Sequence, residues 1–299
     1  PLKGASISLT GSPNSVAVHN GILAVAVENI NKQINGTIET YDTDSQELIK
    51  SYSAGALPDM VTFTPDGNYI VSANEGEPSD DYTIDPEGSV TIVEVATETV
   101  FQVSFTGQAN PGNGFRIFGN NGVSTLLQDI EPEYVTISDD SKTAYIGLQE
   151  NNGMAIIDLE SKNITALVGL GTKNWNLSGN ELDVSDRDGL AGNLNNWNIL
   201  GFYMPDAIDY FTANGTGYIV SANEGDSRDY SGYSEEVRVK DLVLDTSVYP
   251  DAADLQLDRN LGRLKTTTAN GDENNDGLYE QIYSYGTRSF SIWNTNGQL

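Results

Sequence analysis

The stretch Pro58-Asp59-Met60-Val61-Thr62-Phe63-Thr64-Pro65-Asp66-Gly67-Asn68-Tyr69-Ile70-Val71-Ser72-Ala73-Asn74-Glu75-Gly76 decides the fold. Val61 and Phe63, then Tyr69 and Val71, alternate with small or polar residues, the period-two pattern of a half-buried strand. Asp66-Gly67 between the two runs is a hairpin dipeptide. The same unit returns three times. Pro13-Asn14 leads through Asn20-Gly21 to Glu28, Pro132-Glu133 leads to Glu150, and Pro205-Asp206 leads through Asn214-Gly215 to Asn223-Glu224-Gly225. The prolines at 13, 58, 132 and 205 are spaced by 45, 74 and 73 residues, and the shortest spacing is the usual length of a propeller blade. The two longer units read as the same blade carrying inserted loops.

A third strand is expected after each hairpin, at 37–42, 89–95, 153–158 and 289–294, and a fourth at 49–53, 100–105 and 164–168. Four antiparallel strands per unit, repeated radially, make a β-propeller, so the chain reads as all-β and as one domain over 1–299. A β-sandwich has similar strand spacing but gives no reason for a proline start, followed by an acid or Asn, and an acidic end in every unit. Propellers close with 4–8 blades. Either residues 2–9 supply the closing strand of a small ring, or the 299 residues are part of a larger ring cut before it closes, and the larger ring is the expectation. The last unit carries a long insertion, about 225–286, in which 235–242 and 252–264 read as short helices, the second started by Pro250-Asp251.

The chain holds 43 Asp and Glu against 15 Lys and Arg, a formal charge of −28. That surface repels phosphate backbones and anionic membranes, which excludes nucleic acid as a partner and favours cations or basic surfaces. With no Cys, disulfides, thiolate metal sites and thiol nucleophiles are excluded, and one His (His19, in the turn His19-Asn20-Gly21) excludes multi-His metal sites. No apolar run is long enough to span a membrane as a helix. The acidic, Lys-poor, Cys-free composition suits a secreted bacterial protein. Six of the seven arginines follow residue 186, four of them between 228 and 263, so the insertion is the least acidic part of the surface.

Three features could carry chemistry. In Asp272-Glu273-Asn274-Asn275-Asp276-Gly277-Leu278-Tyr279-Glu280, oxygen ligands fall at positions 1, 3, 5 and 9 with Gly at 6, as in the first part of an EF-hand loop. Asp272, Asn274, Asp276, the Leu278 carbonyl and Glu280 are the expected calcium ligands, although position 12 is Tyr283 instead of a bidentate Glu. An acidic surface turn is the plainer reading. Second, Glu28, Glu75, Glu150 and Glu224 end the second strands, and Asn14, Asp59, Glu133 and Asp206 start the first ones. Equivalent positions at equivalent radii give rings of carboxylates on the propeller face, which call for a cation; a turn-capping role in each blade is the alternative. Third, the related loops 74–82 and 223–230 share Asn-Glu-Gly-acid and a final Asp-Tyr, with Arg228 and Arg288 placed to meet an anionic ligand through their planar forks. Pairing with nearby acids is the competing role for both arginines. Trp175 and Trp197 flank a Gly/Asn-rich loop, 169–201, and either stack on a sugar or pack.

Ala73-Asn74-Glu75-Gly76-Glu77-Pro78, residues 222–230, Leu261-Gly262-Arg263-Leu264 and residues 285–293 together resemble the choice-of-anchor I family, over about 14 to 294. The resemblance implies a secreted or surface bacterial propeller, related to an animal mesenchyme-specific cell-surface glycoprotein, and members often labelled alkaline phosphatase. It supplies no catalytic motif that maps onto these residues. The leading expectation is therefore an extracellular, cell-surface or periplasmic calcium-binding propeller that binds a surface or small-molecule ligand. The runner-up is a metal-dependent phosphoesterase in which Glu75, Glu150, Glu224, Asp59, Glu133 and Asp206 hold calcium or a second divalent metal and an arginine steadies the phosphoryl group. A structural role in a surface layer or filament is the third reading.

Overall fold

The computed structural model describes residues 6–119 and 123–299. Four sheets follow one another along the chain, and each is built from its own repeat. The first is β1 (Ser12–His19), β2 (Ile22–Glu28), β3 (Asn35–Asp42) and β4 (Leu48–Ala56), in that order. The second is β5 (Pro58–Phe63), β6 (Tyr69–Asn74), β7 (Ser89–Glu94) and β8 (Thr99–Ser104), and the third is β9 (Tyr134–Ile137), β10 (Thr143–Leu148), β11 (Gly153–Asp158) and β12 (Asn163–Gly169). The fourth joins β15 (Pro205–Ala213) and β16 (Thr216–Asn223) to β20 (Ser289–Asn294). All pairings within these four sheets are antiparallel meanders.

The first strands pack in series, β1 on β5, β5 on β9 and β9 on β15, so they line the axis and the sheets radiate from it. This is a β-propeller. A sandwich would have required strands of different repeats to pair into two facing sheets. Between the blades the alternating apolar faces interdigitate. Ala24, Ile38 and Ala54 of the first meet Val61, Phe63 and Ile70 of the second. Val71, Val90 and Ile92 meet Val135, Ile146 and Ile157, and Tyr145 and Met154 meet Ile208, Ile219 and Trp293. Trp293 is buried and donates its indole N–H to Ser221 Oγ at 2.8 Å, so its polar handle is satisfied.

The insertion and the segment 172–202 fold together as a small sheet with its own core. Its strand order is β13 (Thr172–Asn174), β14 (Leu200–Phe202), β19 (Tyr283–Ser284), β18 (Lys265–Thr267) and β17 (Glu236–Arg238), with β14 and β19 parallel. Trp175, Ile199, Val239, Leu244, Tyr249, Leu261 and Ile282 form its core. The expected helix at 235–242 is instead strand β17 followed by a 3-10 turn, Val239–Asp241. Pairing with β18 overrides the local helical pattern, because Val237 opposite Thr266 builds the sheet. Beyond Pro250-Asp251 the helix is a single turn, α1 (Ala252–Leu255). Trp175 packs, buried and bonded to Ser284 Oγ, so its ring is not presented for stacking on a sugar; Trp197 lies partly buried against the same core and donates to the Leu182 carbonyl. Among the described residues no helix is long and apolar enough to cross a membrane.

Candidate cation site on the axial face

The proline start of the repeat has a structural cause. The register of β1 with β2 shifts between Pro13 and Ser15, that of β5 with β6 between Pro58 and Val61, and that of β15 with β16 between Pro205 and Ala207. Each is a β-bulge, where a proline without an N–H costs the ladder nothing and the next side chain is turned out of it. Leu57 and Met204, each just before the proline and buried, hold φ at 50° and 49°. Two non-glycine residues in this strained region, at the same repeat position, mark a backbone held by its surroundings. The bulges aim Asp59 and Asp206 toward the end of the propeller where the second strands finish.

The Asn-Glu-Gly motif at the second-strand end divides its work. Asn74 is fully buried and ties β6 to β7 through Ser89 and Thr91, and Asn223 ties β16 to β20 through Ser289 and Ser291. The glycine lets two backbones touch: a Cβ on Gly225 would lie 2.3 Å from the Tyr285 carbonyl carbon. Glu75 of the second blade, and its counterpart Glu150 in Gln149-Glu150-Asn151 of the third, are directed to the axial end.

There Glu75, Glu133 and Glu150 each bring a carboxylate oxygen to within 4.8 Å of the others. Glu75 and Glu133 are half-buried, whereas Glu150 is 5% exposed and its Oε2 is buried with no hydrogen-bond partner. Gln149 lies alongside, its amide nitrogen 3.1 and 3.2 Å from the two oxygens of Glu133 in the orientation that matches donor to acceptors. Burial pushes the Glu75 carboxyl well above the usual range, and the negative charges of Glu150, Glu77 and Asp59 push the same way. Glu133 is raised by burial and then by Glu150, Glu75, Glu131 and Asp59. Burial also raises Glu150, with Arg228 pulling against it. Asp59 stands beside this cluster, raised by burial and by Asp206, Glu28 and Glu77. Carboxylates that resist ionising together, one with an oxygen stripped of water and unbonded, form a donor set for a hard cation.

The two expected rings are thus one cluster made where blades two and three meet. Glu75, Glu133 and Glu150 converge; Asp59 borders them; Asp206 is exposed at the margin. Glu224 is not among the converging groups: it is exposed and lines a separate hollow with Arg288. Glu131 and Arg116 were not singled out from the sequence. Glu131, fully buried, pairs with Arg228, while Arg116, also buried, pairs with Glu235 and donates to the Glu150 carbonyl at 3.0 Å. Arg228 therefore does not present its fork to a ligand: it is 1% exposed and its charge is matched by Glu131. Burial alone would lower its pKa, but Glu131 and Glu150 outweigh that and keep the guanidinium ionised. His19 stacks on Phe63 and bonds Asn20, away from these groups.

The 272–280 loop also gathers its acids, with Asp272, Asp276 and Glu280 offering oxygens within 4.8 Å of one another. Asp272 accepts from the N–H groups of Asp276 and Gly277, Glu280 accepts from Glu273 N–H and Asn274 Nδ2, and Asp276 accepts from Leu278 N–H. Gly277 sits at φ +87°, the tight position the loop requires. The loop is solvent-exposed over Glu273–Leu278, in contrast to the buried axial cluster.

Solved structures similar to the chain have low identity to it. The Kuenenia stuttgartiensis hydrazine synthase aligns with TM-score 0.44 and 16% identity over 71% of this chain and 55% of its own. The RRP9 WD40 repeats align with TM-score 0.43 and 9% identity over 74% and 48%. The Myceliophteria thermophila Cps50 (Swd1) β-propeller domain aligns with TM-score 0.39 and 9% identity over 72% and 51%. The chain spans about half the length of these structures. No curated protein matches it. A sequence profile of the choice-of-anchor I domain matches residues 3–299. The chain belongs to the choice-of-anchor I family.

Proposed function

We propose that this propeller is a divalent-cation-binding module, secreted or displayed at the cell surface, with calcium held by Glu75, Glu133 and Glu150 on its axial face. The observation that carries the reading is the buried, unpartnered Oε2 of Glu150 within the three-carboxylate cluster. An unpaired buried carboxylate oxygen is costly, and a hard cation is the partner that satisfies it together with its neighbours. The 272–280 loop is the second cation position in this reading, through Asp272, Asn274, Asp276, the Leu278 carbonyl and Glu280. The family and the acidic surface support a location outside the cell, where calcium is plentiful and the ligand is a surface or small molecule. Phosphoester hydrolysis would need an arginine free to meet phosphate beside the carboxylates, and Arg228 is committed to Glu131.

Calorimetric titration of chelator-stripped protein with calcium separates the two positions. Two saturable sites are expected. Glu150→Gln removes the axial one and leaves the loop, and Asp276→Ala does the reverse. Calcium heats unchanged by Glu150→Gln would defeat the axial assignment.

A further inference from the structure

Between the insertion sheet and the fourth blade lies a cleft of about 700 Å³, lined in part by Ser227, Arg238, Arg263, Lys265 and Arg288. In a chain with nearly three acids per base, an arginine is expected to find a carboxylate. Arg116, Arg187, Arg228, Arg259 and Arg263 each do. Among the described residues, only Arg238 and Arg288 do not, and both face this one cleft. Each donates to a backbone carbonyl instead: Arg238 to Arg263 at 2.5 Å, Arg288 to Asp183 at 2.9 Å. Each guanidinium therefore keeps further N–H groups and its full charge.

Of the four acids lining the cleft, Asp186, Glu236 and Asp226 are bonded to other groups, while Asp183 meets Arg288 through its backbone carbonyl. Asp186 takes both the Nε–H and an Nη–H of Arg263, and Glu236 takes Lys265 and Ser227. Asp226 is turned back onto the Ser227 N–H. Arg288 also holds φ at +46°, a left-handed setting that a long side chain rarely adopts without cause. We infer that this cleft binds a small oxyanion carrying at least two negative charges, a phosphorylated or polycarboxylate ligand gripped by the forks of Arg238 and Arg288. Planar guanidinium groups suit both kinds of ligand. The formal charge of −28 disfavours a long polyanion, while salt screens it beyond a Debye length, so a short ligand can reach the cleft. This places the anion where Arg288 was expected to act and gives Arg238 the part first assigned to Arg228.

The test is titration of chelator-stripped, desalted protein with inorganic phosphate and, separately, with tartrate, at constant ionic strength. One saturable site per chain is expected for at least one anion. Saturation by phosphate alone identifies a phosphorylated ligand, and by tartrate alone a polycarboxylate. Arg238→Gln and Arg288→Gln should each weaken binding about tenfold, the usual scale for a lost charge-assisted bond. The double variant should abolish it, and Arg259→Gln, outside the cleft, should leave it unchanged. Arg288→Lys keeps the charge without the fork and should fall between. Circular dichroism and melting temperatures matching the unsubstituted protein report that the variants are folded. Saturation by neither anion, or equal binding by the double variant, overturns the proposal.

Discussion

Arg228→Met is expected to destabilise the fold by about 3–5 kcal/mol, the scale for removing one partner of a buried ion pair. Arg228 is 1% exposed and Glu131 0%, so water cannot compensate the carboxylate left behind. The loss is expected to reach beyond the pair. Arg228 belongs to the insertion and Glu131 to the segment entering the third blade, and Arg116 with Glu235 repeats the link close by. The Arg228 N–H also donates to Glu235, so the two pairs share a partner. Thermal unfolding should fall by roughly 10 °C. The double variant Arg228→Met/Glu131→Leu removes both charges from the same dry volume and should recover most of the loss. A double variant as unstable as the single one would show that the destabilisation comes from lost packing instead of an orphaned charge.

The cation-free protein is expected to lose stability as pH rises above about 4.5, with added calcium restoring it. Glu75, Glu133 and Glu150 have an ordinary value of 4.5 and are all raised in the fold, with burial as the first cause. The folded chain therefore binds more protons than the unfolded one between 4.5 and the raised values. Stability from these groups is complete below 4.5 and declines as pH climbs through the folded pKa. The acids lowered by turn hydrogen bonds, such as Asp42, Asp66 and Asp158, act at or below their ordinary 3.8 and leave this window alone. Calcium binds the ionised form, so its stabilising effect should grow across the same pH range and shrink on acidification. Glu150→Gln should flatten the decline in cation-free buffer and remove most of calcium's benefit. Melting temperatures from pH 4.5 to 8, with chelator and with calcium, check both slopes. A cation-free stability that rises with pH over this range would contradict the placement of these carboxylates.

How far the sequence could be read follows from where each contact lies along the chain. The blades were legible because a hairpin is local: Val61 and Val71 sit on opposite sides of Asp66-Gly67, and the alternation declares both strands. The insertion sheet was not, because its strands are two or three residues long and come from five separate stretches between 172 and 284. Leu200 pairs in parallel with Tyr283, across a separation that no periodicity reports. At the site, the repeat singled out Glu75 and Glu150 as equivalent and Glu133 as a first-strand acid. It could not show that Glu133 of one blade falls beside Glu75 of the blade before it, which depends on how the blades pack. Treating the repeat as a ring also carried Glu224 into the cluster, whereas the loop after β16 instead passes close against Tyr285 and Gly286 and leaves Glu224 exposed. Arg228 looked available in sequence because burial of a charge depends on a partner 97 residues away.

The cation at the axial cluster is tested by diffraction from crystals grown with calcium, recorded for its anomalous signal. The prediction is a peak about 2.3–2.6 Å from oxygens of Glu75, Glu133 and Glu150, the range for calcium–oxygen bonds. Calcium present at the 272–280 loop with no peak among these three carboxylates would contradict it.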